Sequence, residues 1–319
     1  MSTAEVAVAV VSTNLRDLLE KTLESLRPDA DTGLIEVWVV DNASTDGSPE
    51  MVRERFPWVS LVASEENVGY GTAVNMVAER TQTRWIAAAN EDIEVRPGAI
   101  ERLLAAARDH PDAALVAPRL ELPDGTTQHS VHPFPTLWLT LLFNLGLHRL
   151  SRRIADHLCL EGYWDPGRAR TVDWAMATFL LARRSAWETV GGFDRAQWMH
   201  AEDLDIAWRL RRAGWRCWYE PSAEVFHVGS AASKKAFGEE LMTRFMAASY
   251  GWQARRRRPA IARAIALVNC AGVGARLAVL EPLARLAGGR FTEARDRCRY
   301  WLGVHRTGLA PTAELLRHR

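Results

Sequence analysis

The order of apolar runs predicts an α/β fold: a mostly parallel central sheet flanked by helices, with a helical extension at the C-terminal end. Three observations carry this. Over about the first 120 residues, short valine-rich runs alternate with runs of helical period, the pattern of strands crossed over by helices. Four of those runs end in Asn, Asp, Ser, Thr or Gly. From about residue 236 the pattern is helical to the end.

The elements follow in order. VAVAVVS (6–12) reads as a buried strand, and LRDLLEKTLESL (15–26) spaces its leucines along one helix face. IEVWVVD (35–41) is the next strand, and SPEMVRERF (48–56) a helix with a serine cap and a first-turn proline. SLVAS (60–64), a helix over 71–80, RWIAAAN (84–90), a helix over 97–109 and AALVAP (113–118) continue the alternation. LPDGTTQ (122–128) is a hairpin around Asp-Gly, and residues 136–158 are helical and apolar with a basic end. Residues 172–194 read as a strand, a short helix and a Gly-Gly loop. A helix over 203–213 and two strands, WRCWYE and AEVFHVGS, follow. In the tail, Pro259, Gly272, Gly274, Pro282 and Gly288–Gly289 are expected to interrupt the helices. This gives a domain over 1–235, with halves of about 1–120 and 121–235, and a helical extension over 236–319.

Composition narrows the class. With 319 residues, 48% hydrophobic and 25% charged, the chain is an ordinary globular one, and its net charge of +1 gives no signal for nucleic acid. The basic block QARRRRPAIAR (253–263) is either a solvated helix end or a patch for anionic lipid or a phosphorylated substrate. Cysteines 159, 217, 270 and 298 form no C-x-x-C pair, so a reducing, cytoplasmic setting is expected. The N-terminus lacks the positive region of a signal peptide. The longest uncharged run of the tail, 264–275, is expected to be too short to span a bilayer, though it could lie on one.

Ligands of open α/β sheets bind beyond the C-terminal ends of the strands. Those ends here are STN (12–14), DNASTDGS (41–48), ENVGYGTAVN (66–75) and NEDIEV (90–95). One such end is a turn; four in register make a pocket for a polar ligand. Neither a dinucleotide fingerprint nor a G-x-x-x-x-G-K-[ST] loop is present, which disfavours a dehydrogenase, and the lack of a Gly-rich basic loop after the first strand disfavours a nucleotidyltransferase. Asp92 follows a buried strand, where a carboxylate can hold a hard cation. His227, in FHVGS, is either a structural histidine or a second ligand. Glu202, Asp203 and Asp205 crowd the first turn of a helix. The helix dipole favours acids there, and a carboxylate at a pocket edge can also act as a general base.

Taken in order, VVSTN, VVDNASTDGS, NVGYGTAVN, NEDIEV, VDW…FLLARRSAWETVGGFD, AEDLDIAWRLRRAGW and FHVGS resemble the inverting glycosyltransferases of family 2, and most of all their rhamnosyltransferase-like branch, over about residues 6–230. The resemblance implies the GT-A fold. It implies that Ser12, Thr13, Asp41, Asn42 and Asp46 hold the nucleoside, and that Asn67, Gly69, Asn75, Asn90 and Glu91 line the nucleotide-sugar site. It further implies that Asp92 and His227 bind Mg²⁺ or Mn²⁺, and that Asp203 is the catalytic base with Glu202 in support. Trp174, Gly191, Gly192, Phe193 and Trp198 would border the acceptor, while Asp205 caps or pairs locally. Three positions depart from the family pattern: Asn90 replaces an Asp, Glu91 replaces a Pro or small residue, and Ala177 replaces a Gly, which narrows the acceptor side. The branch implies a dTDP-sugar donor, dTDP-rhamnose first, with UDP-sugars as the alternative. The hydroxyl acceptor is a glycan, a lipid-linked glycan or a natural product. The tail could rest on the inner face of the cell membrane, pack on the catalytic domain or form a homodimer. A non-catalytic nucleotide-sugar-binding protein is the competing class.

Overall fold

The computed structural model describes residues 4–229, 235, 237–286 and 289–316. The chain divides into two compact units, Met1–Phe134 with Leu158–Ala236, and Pro135–His157 with Phe237–Arg319. The helical residues 135–157 thus group with the C-terminal helices rather than with the acceptor half where the sequence reading put them.

The first unit is built on one sheet. Its strands are β1 (Val6–Ser12), β2 (Ile35–Asn42), β3 (Ser60–Ser64), β4 (Trp85–Asn90), β5 (Ile93–Val95), β6 (Ala113–Glu121), β8 (Arg170–Val172), β10 (Phe179–Arg183) and β11 (Arg216–His227). The order is β3-β2-β1-β4-β10-β6-β11-β5, with β8 paired to β11. Strands β3, β2, β1 and β4 are parallel, and β10 runs antiparallel between β4 and β6. Covering both faces of the parallel half buries all seven residues of β1, hence its unbroken run of valine and alanine. The crossover helices α1 (Arg16–Asp31), α2 (Ser48–Arg55), α3 (Tyr70–Arg80) and α4 (Ala99–Asp109) each bury one stripe; α1 places Leu19, Leu23 and Leu26 in the core beside Val37 and Trp85. A second, two-stranded sheet joins β7 (Val131–His132) to β9 (Trp174–Ala175). Helices α7 (Arg184–Val190) and α8 (Glu202–Arg212) complete this unit.

The two strands expected at the end of this unit are one. β11 runs through Pro221 without a break, and its pairing with β6 shifts register between Glu220 and Glu224. Proline cannot donate to a ladder, so it falls at the irregularity. Ser230 lies outside the described residues.

The second unit is helical: α5 (Leu137–Asn144), α6 (Arg152–His157), and helices Leu241–Arg256, Pro259–Leu286, Thr292–Arg306 and Thr312–Leu315. Its core gathers Tyr250, Ala254, Ala262, Ile265, Ala266 and Leu315. The expected interruptions at Gly272, Gly274 and Pro282 do not occur, and Pro259–Leu286 is a single helix of 28 residues. Gly272 lies against Asn144 of α5, which a Cβ would strike, so it serves close packing and not a break. The expectation that the tail is too short to span a bilayer is corrected as well. At 1.5 Å per residue this helix is about 42 Å long. Its most apolar window reaches a mean hydropathy of 1.5, so length and composition alone would let it cross a membrane. Counting only the stretch between Arg263 and Arg276 missed this, because the helix continues through both arginines.

Candidate active site

Parallel register sets the ends of the first strands side by side, with Ser12 opposite Asp41 and Asn90 opposite Val11. One Asp41 oxygen accepts the Ser44 N–H at 3.0 Å. The other is buried with no hydrogen-bond partner. A buried acceptor left unmatched costs about 1–3 kcal/mol, so this atom suits a ligand N–H. Asn42 Oδ1 accepts the Val68 N–H at 3.3 Å, tying this end to the ENVGYG segment. Asp46 instead braces the loops, accepting the backbone N–H of Arg16 and the N–H and hydroxyl of Ser48.

Glu91 points back into the fold. Its carboxyl accepts the Ser12 hydroxyl at 2.6 Å and the Thr13 N–H at 2.7 Å. Burial pushes its pKa up to about 7 against the pull of those bonds. Ser12 and Thr13 therefore meet Glu91 here, and the three clamp β1 to the turn after β4.

That turn presents Asp92. Asp92 Oδ1 stands 3.3 Å from His227 Nε2, and both side chains are buried. His227 arrives because β11 pairs antiparallel with β5, and the Val228 N–H reaches the Asp92 carbonyl at 3.0 Å. On its far side, His227 Nδ1 lies 2.6 Å from Gln128 Oε1. An amide oxygen only accepts, so Nδ1 donates to it, which leaves Nε2 as the ring nitrogen that faces Asp92. One carboxylate and one imidazole suit Mn²⁺ or Mg²⁺, and the Gln128 amide behind the ring is the kind of partner that orients a ligating histidine. Among the described residues no cluster of three or more His, Cys, Asp or Glu assembles. If this pair holds a cation, a diphosphate and water would fill the other positions.

The carboxylates of α8 lie at the same end of the sheet. The Asn90 N–H donates to the Thr178 carbonyl at 2.9 Å, and the neighbouring Ala177 N–H reaches Asp203 Oδ2 at 3.4 Å. Asp203 Oδ1 accepts the Leu204 N–H at 2.8 Å. One Glu202 oxygen is buried without a hydrogen-bond partner. Burial first, and then the charge on Asp203, pushes Glu202 up; burial pushes Asp203 up. Tyr70 joins the two groups: its hydroxyl donates to the Ala177 carbonyl, and Glu202, Asp203 and Asp92 all raise its pKa after burial. The third acid, Asp205, pairs with Arg209 at 2.6 Å; Arg209 also holds the carbonyls of Val190 and Gly192. Asp205 is thus structural.

Two loops border this end. Asn75 is spent on the Gly-Gly-Phe loop: it donates to the Phe193 carbonyl at 2.8 Å and accepts the Phe193 N–H at 3.0 Å. Gly191 and Gly192 both take positive φ, and a Cβ at Gly192 would strike Asn75 and Trp187. Trp198 donates to the Asn67 carbonyl at 3.1 Å and accepts the Tyr70 N–H through its own carbonyl. Gly69 (φ 84°) lies under it, where a Cβ would meet the Trp198 backbone, and Asn67 Oδ1 accepts the Gly69 N–H. Trp174 is buried, stacked on His132, and donates to the Pro133 carbonyl. Sequence reasoning missed Gln128, Tyr70 and Arg209. Gln128 stood inside the LPDGTTQ hairpin and Tyr70 inside NVGYGTAVN, but nothing along the chain says which side chain each would touch.

Comparison with known proteins agrees with this layout. Residues 7–159 match the model of the family described as Glycosyl transferase family 2. The chain is 36% identical over 209 residues to the N-acetylglucosaminyl-diphospho-decaprenol L-rhamnosyltransferase of Mycobacterium tuberculosis, a match covering 60% of this chain and 66% of that protein. It is 31% identical over 112 residues to Rhamnosyltransferase WbbL of Escherichia coli, covering 35% of this chain and 39% of that one. Among solved structures, it superposes on the mannosyltransferase PcManGT from Pyrobaculum calidifontis, in complex with GDP-Man and Mn²⁺, with a TM-score of 0.59 at 18% identity, covering 96% of this chain and 87% of that one. The fold is the GT-A glycosyltransferase fold. Residues 7–159 carry a glycosyltransferase family 2 domain, and the chain is similar to rhamnosyltransferases. It spans slightly under two thirds of the mycobacterial relative's length.

Proposed function

We propose that this protein transfers a sugar from a nucleoside-diphosphate donor to a hydroxyl acceptor with inversion at the anomeric carbon, in the cytoplasm. The observation that carries the reading is the Ala177–Thr178 segment, which receives Asn90 on one side and contacts Asp203 on the other. It brings the candidate base and the Asp92–His227 pair to one end of the sheet.

In this reading the free acceptor of Asp41 takes an N–H of the base, as the pyrimidine ring of a thymidine or uridine nucleotide offers. Asp92 and His227 would hold a divalent cation, which would supply charge neutralisation on the departing diphosphate. Asp203 takes the acceptor's hydroxyl proton. The acceptor oxygen bonds to the anomeric carbon as the bond from that carbon to the diphosphate oxygen breaks, and the nucleoside diphosphate leaves. Base and leaving group act on opposite faces of the sugar, so one displacement inverts the centre and no covalent enzyme intermediate forms. Glu202 stays protonated beside Asp203, and the Gly191–Phe193 loop with Trp198 borders the acceptor.

The donor is a dTDP-deoxysugar, dTDP-rhamnose first, and the acceptor a lipid-linked glycan. The mycobacterial relative's name, a rhamnosyltransferase acting on an N-acetylglucosaminyl-diphospho-decaprenol, supports the rhamnosyl group and the lipid-linked acceptor. Product analysis with dTDP-rhamnose and a polyprenyl-diphosphate sugar tests this. Transfer by the wild type and a loss of at least a thousandfold in Asp203→Asn, with dTDP affinity kept, are expected. An active Asp203→Asn enzyme would remove Asp203 as the base.

A further inference from the structure

We infer that the segment Pro135–His157 is an in-plane docking face for a membrane leaflet rich in anionic phospholipid. The argument begins with α5, LWLTLLFN. Six of its eight residues are apolar and none is buried. A helix this apolar belongs in a protein core or in lipid, and its packing on the helix Pro259–Leu286 leaves Leu137, Trp138 and Phe143 exposed. The exposed apolar residues run through α5 and past its end. Trp138, Phe143, Leu145, Leu150 and Ile154 are all more than half exposed, Trp138 at 71% and Leu150 at 81%. Scattered exposed leucines need no explanation, but a contiguous set of this size marks an interaction surface.

Charge selects the occupant. The segment's one acidic side chain is Asp156, at its end, while Arg149, Arg152 and Arg153 stand exposed among the apolar residues. Bulky apolar groups interleaved with arginine are what a lipid interface accepts: the rings and leucines enter the acyl boundary and the guanidinium groups meet phosphate. A second copy docked through the same face about a two-fold axis would set arginine against arginine.

The face extends along the long helix Pro259–Leu286. Asn144 at the end of α5 bonds Asn269 and receives Arg276. Positions 272, 276, 279, 283 and 286 follow one helical stripe. Beyond the Asn144 contact that stripe carries exposed Val279, Leu283 and Leu286. The attachment is therefore placed on α5 to α6 and this stripe, not on the Arg255–Arg258 block, where Arg257 is half-buried over the Trp252 ring.

Vesicle flotation of the full chain tests this without any substrate. The wild type should float with vesicles containing phosphatidylglycerol and bind pure phosphatidylcholine at least tenfold more weakly. The double variant Leu150→Glu/Ile154→Glu and the triple variant Arg149→Glu/Arg152→Glu/Arg153→Glu should each lower partitioning by at least tenfold. Thermal melts by circular dichroism should stay within a few degrees of wild type, because these side chains are exposed. Wild type left unbound by anionic vesicles overturns the proposal. So does wild-type binding by both variants, including retention after alkaline carbonate, which would put the attachment on a spanning helix. A dimer in solution that both variants dissociate would assign the face to a second copy instead.

Discussion

At the scale of single residues, the site turns on how burial changes acids. Asp203 and Glu202 are both raised, and the charge that appears first on Asp203 keeps Glu202 protonated. The pair then carries one negative charge in the working state. A base whose folded pKa is raised is inactive until the pH climbs past that raised value. The acid limb of kcat/KM should therefore lie above the ordinary aspartate range, with the rate rising with pH across it. Glu202→Gln mimics the protonated neighbour and should leave that limb in place, with activity within about tenfold of wild type. A limb that drops to the range of a free aspartate would contradict the account. The second residue-scale prediction concerns Gln128, which holds His227 by Nδ1. Removing the hydrogen-bond partner behind a ligating histidine costs roughly 10–100-fold in metal affinity. Gln128→Leu should weaken Mn²⁺ binding by that factor in an electron paramagnetic resonance titration, and Gln128→Glu, which still accepts the Nδ1 proton, should restore most of it.

At the scale of elements, α8 and its preceding loop are held by Arg209. Its bonds to Asp205, Val190 and Gly192 fix the helix mouth against the Gly-Gly-Phe turn. Arg209→Ala breaks a buried ion pair and should cost about 3–5 kcal/mol in urea unfolding. Gly69→Ala places a Cβ against the Trp198 backbone at a positive φ. It should raise the donor KM severalfold as the Trp198 loop shifts, and a donor KM equal to wild type would separate that loop from the site. The elements that framed these predictions differ in how plainly the chain announces them. β1, β2 and β4 read directly, because strands covered on both faces are unbroken apolar runs. α8 was legible from its acidic first turn and following apolar spacing. The long helix was not: Gly272 and Pro282 look like breaks until the packing of Asn144 on Gly272 is seen. Nor was β11, whose Pro221 imitates a boundary. The pairing of Gln128 with His227 joins positions 99 apart, and no local pattern encodes such a contact.

At the scale of the whole molecule, the first unit carries a parallel half ending in Asp41 and Asp92, and a mixed half that adds His227 from β11 and sets Asp203 against Ala177. Both halves contribute to one sheet end, as a transfer between two substrates requires. The second unit exposes an apolar stretch, residues 135–155, that carries no acidic side chain. A protein so organised would meet a soluble donor through one unit and a lipid leaflet through the other. The measurement that tests the central claim most directly is calorimetric titration of the wild type and Asp92→Ala with dTDP and with UDP, each with and without Mn²⁺. The account predicts that dTDP binds the wild type more tightly than UDP, that Mn²⁺ tightens it at least tenfold, and that Asp92→Ala abolishes the Mn²⁺ effect. Nucleotide binding indifferent to Mn²⁺, or unchanged in Asp92→Ala, would contradict it.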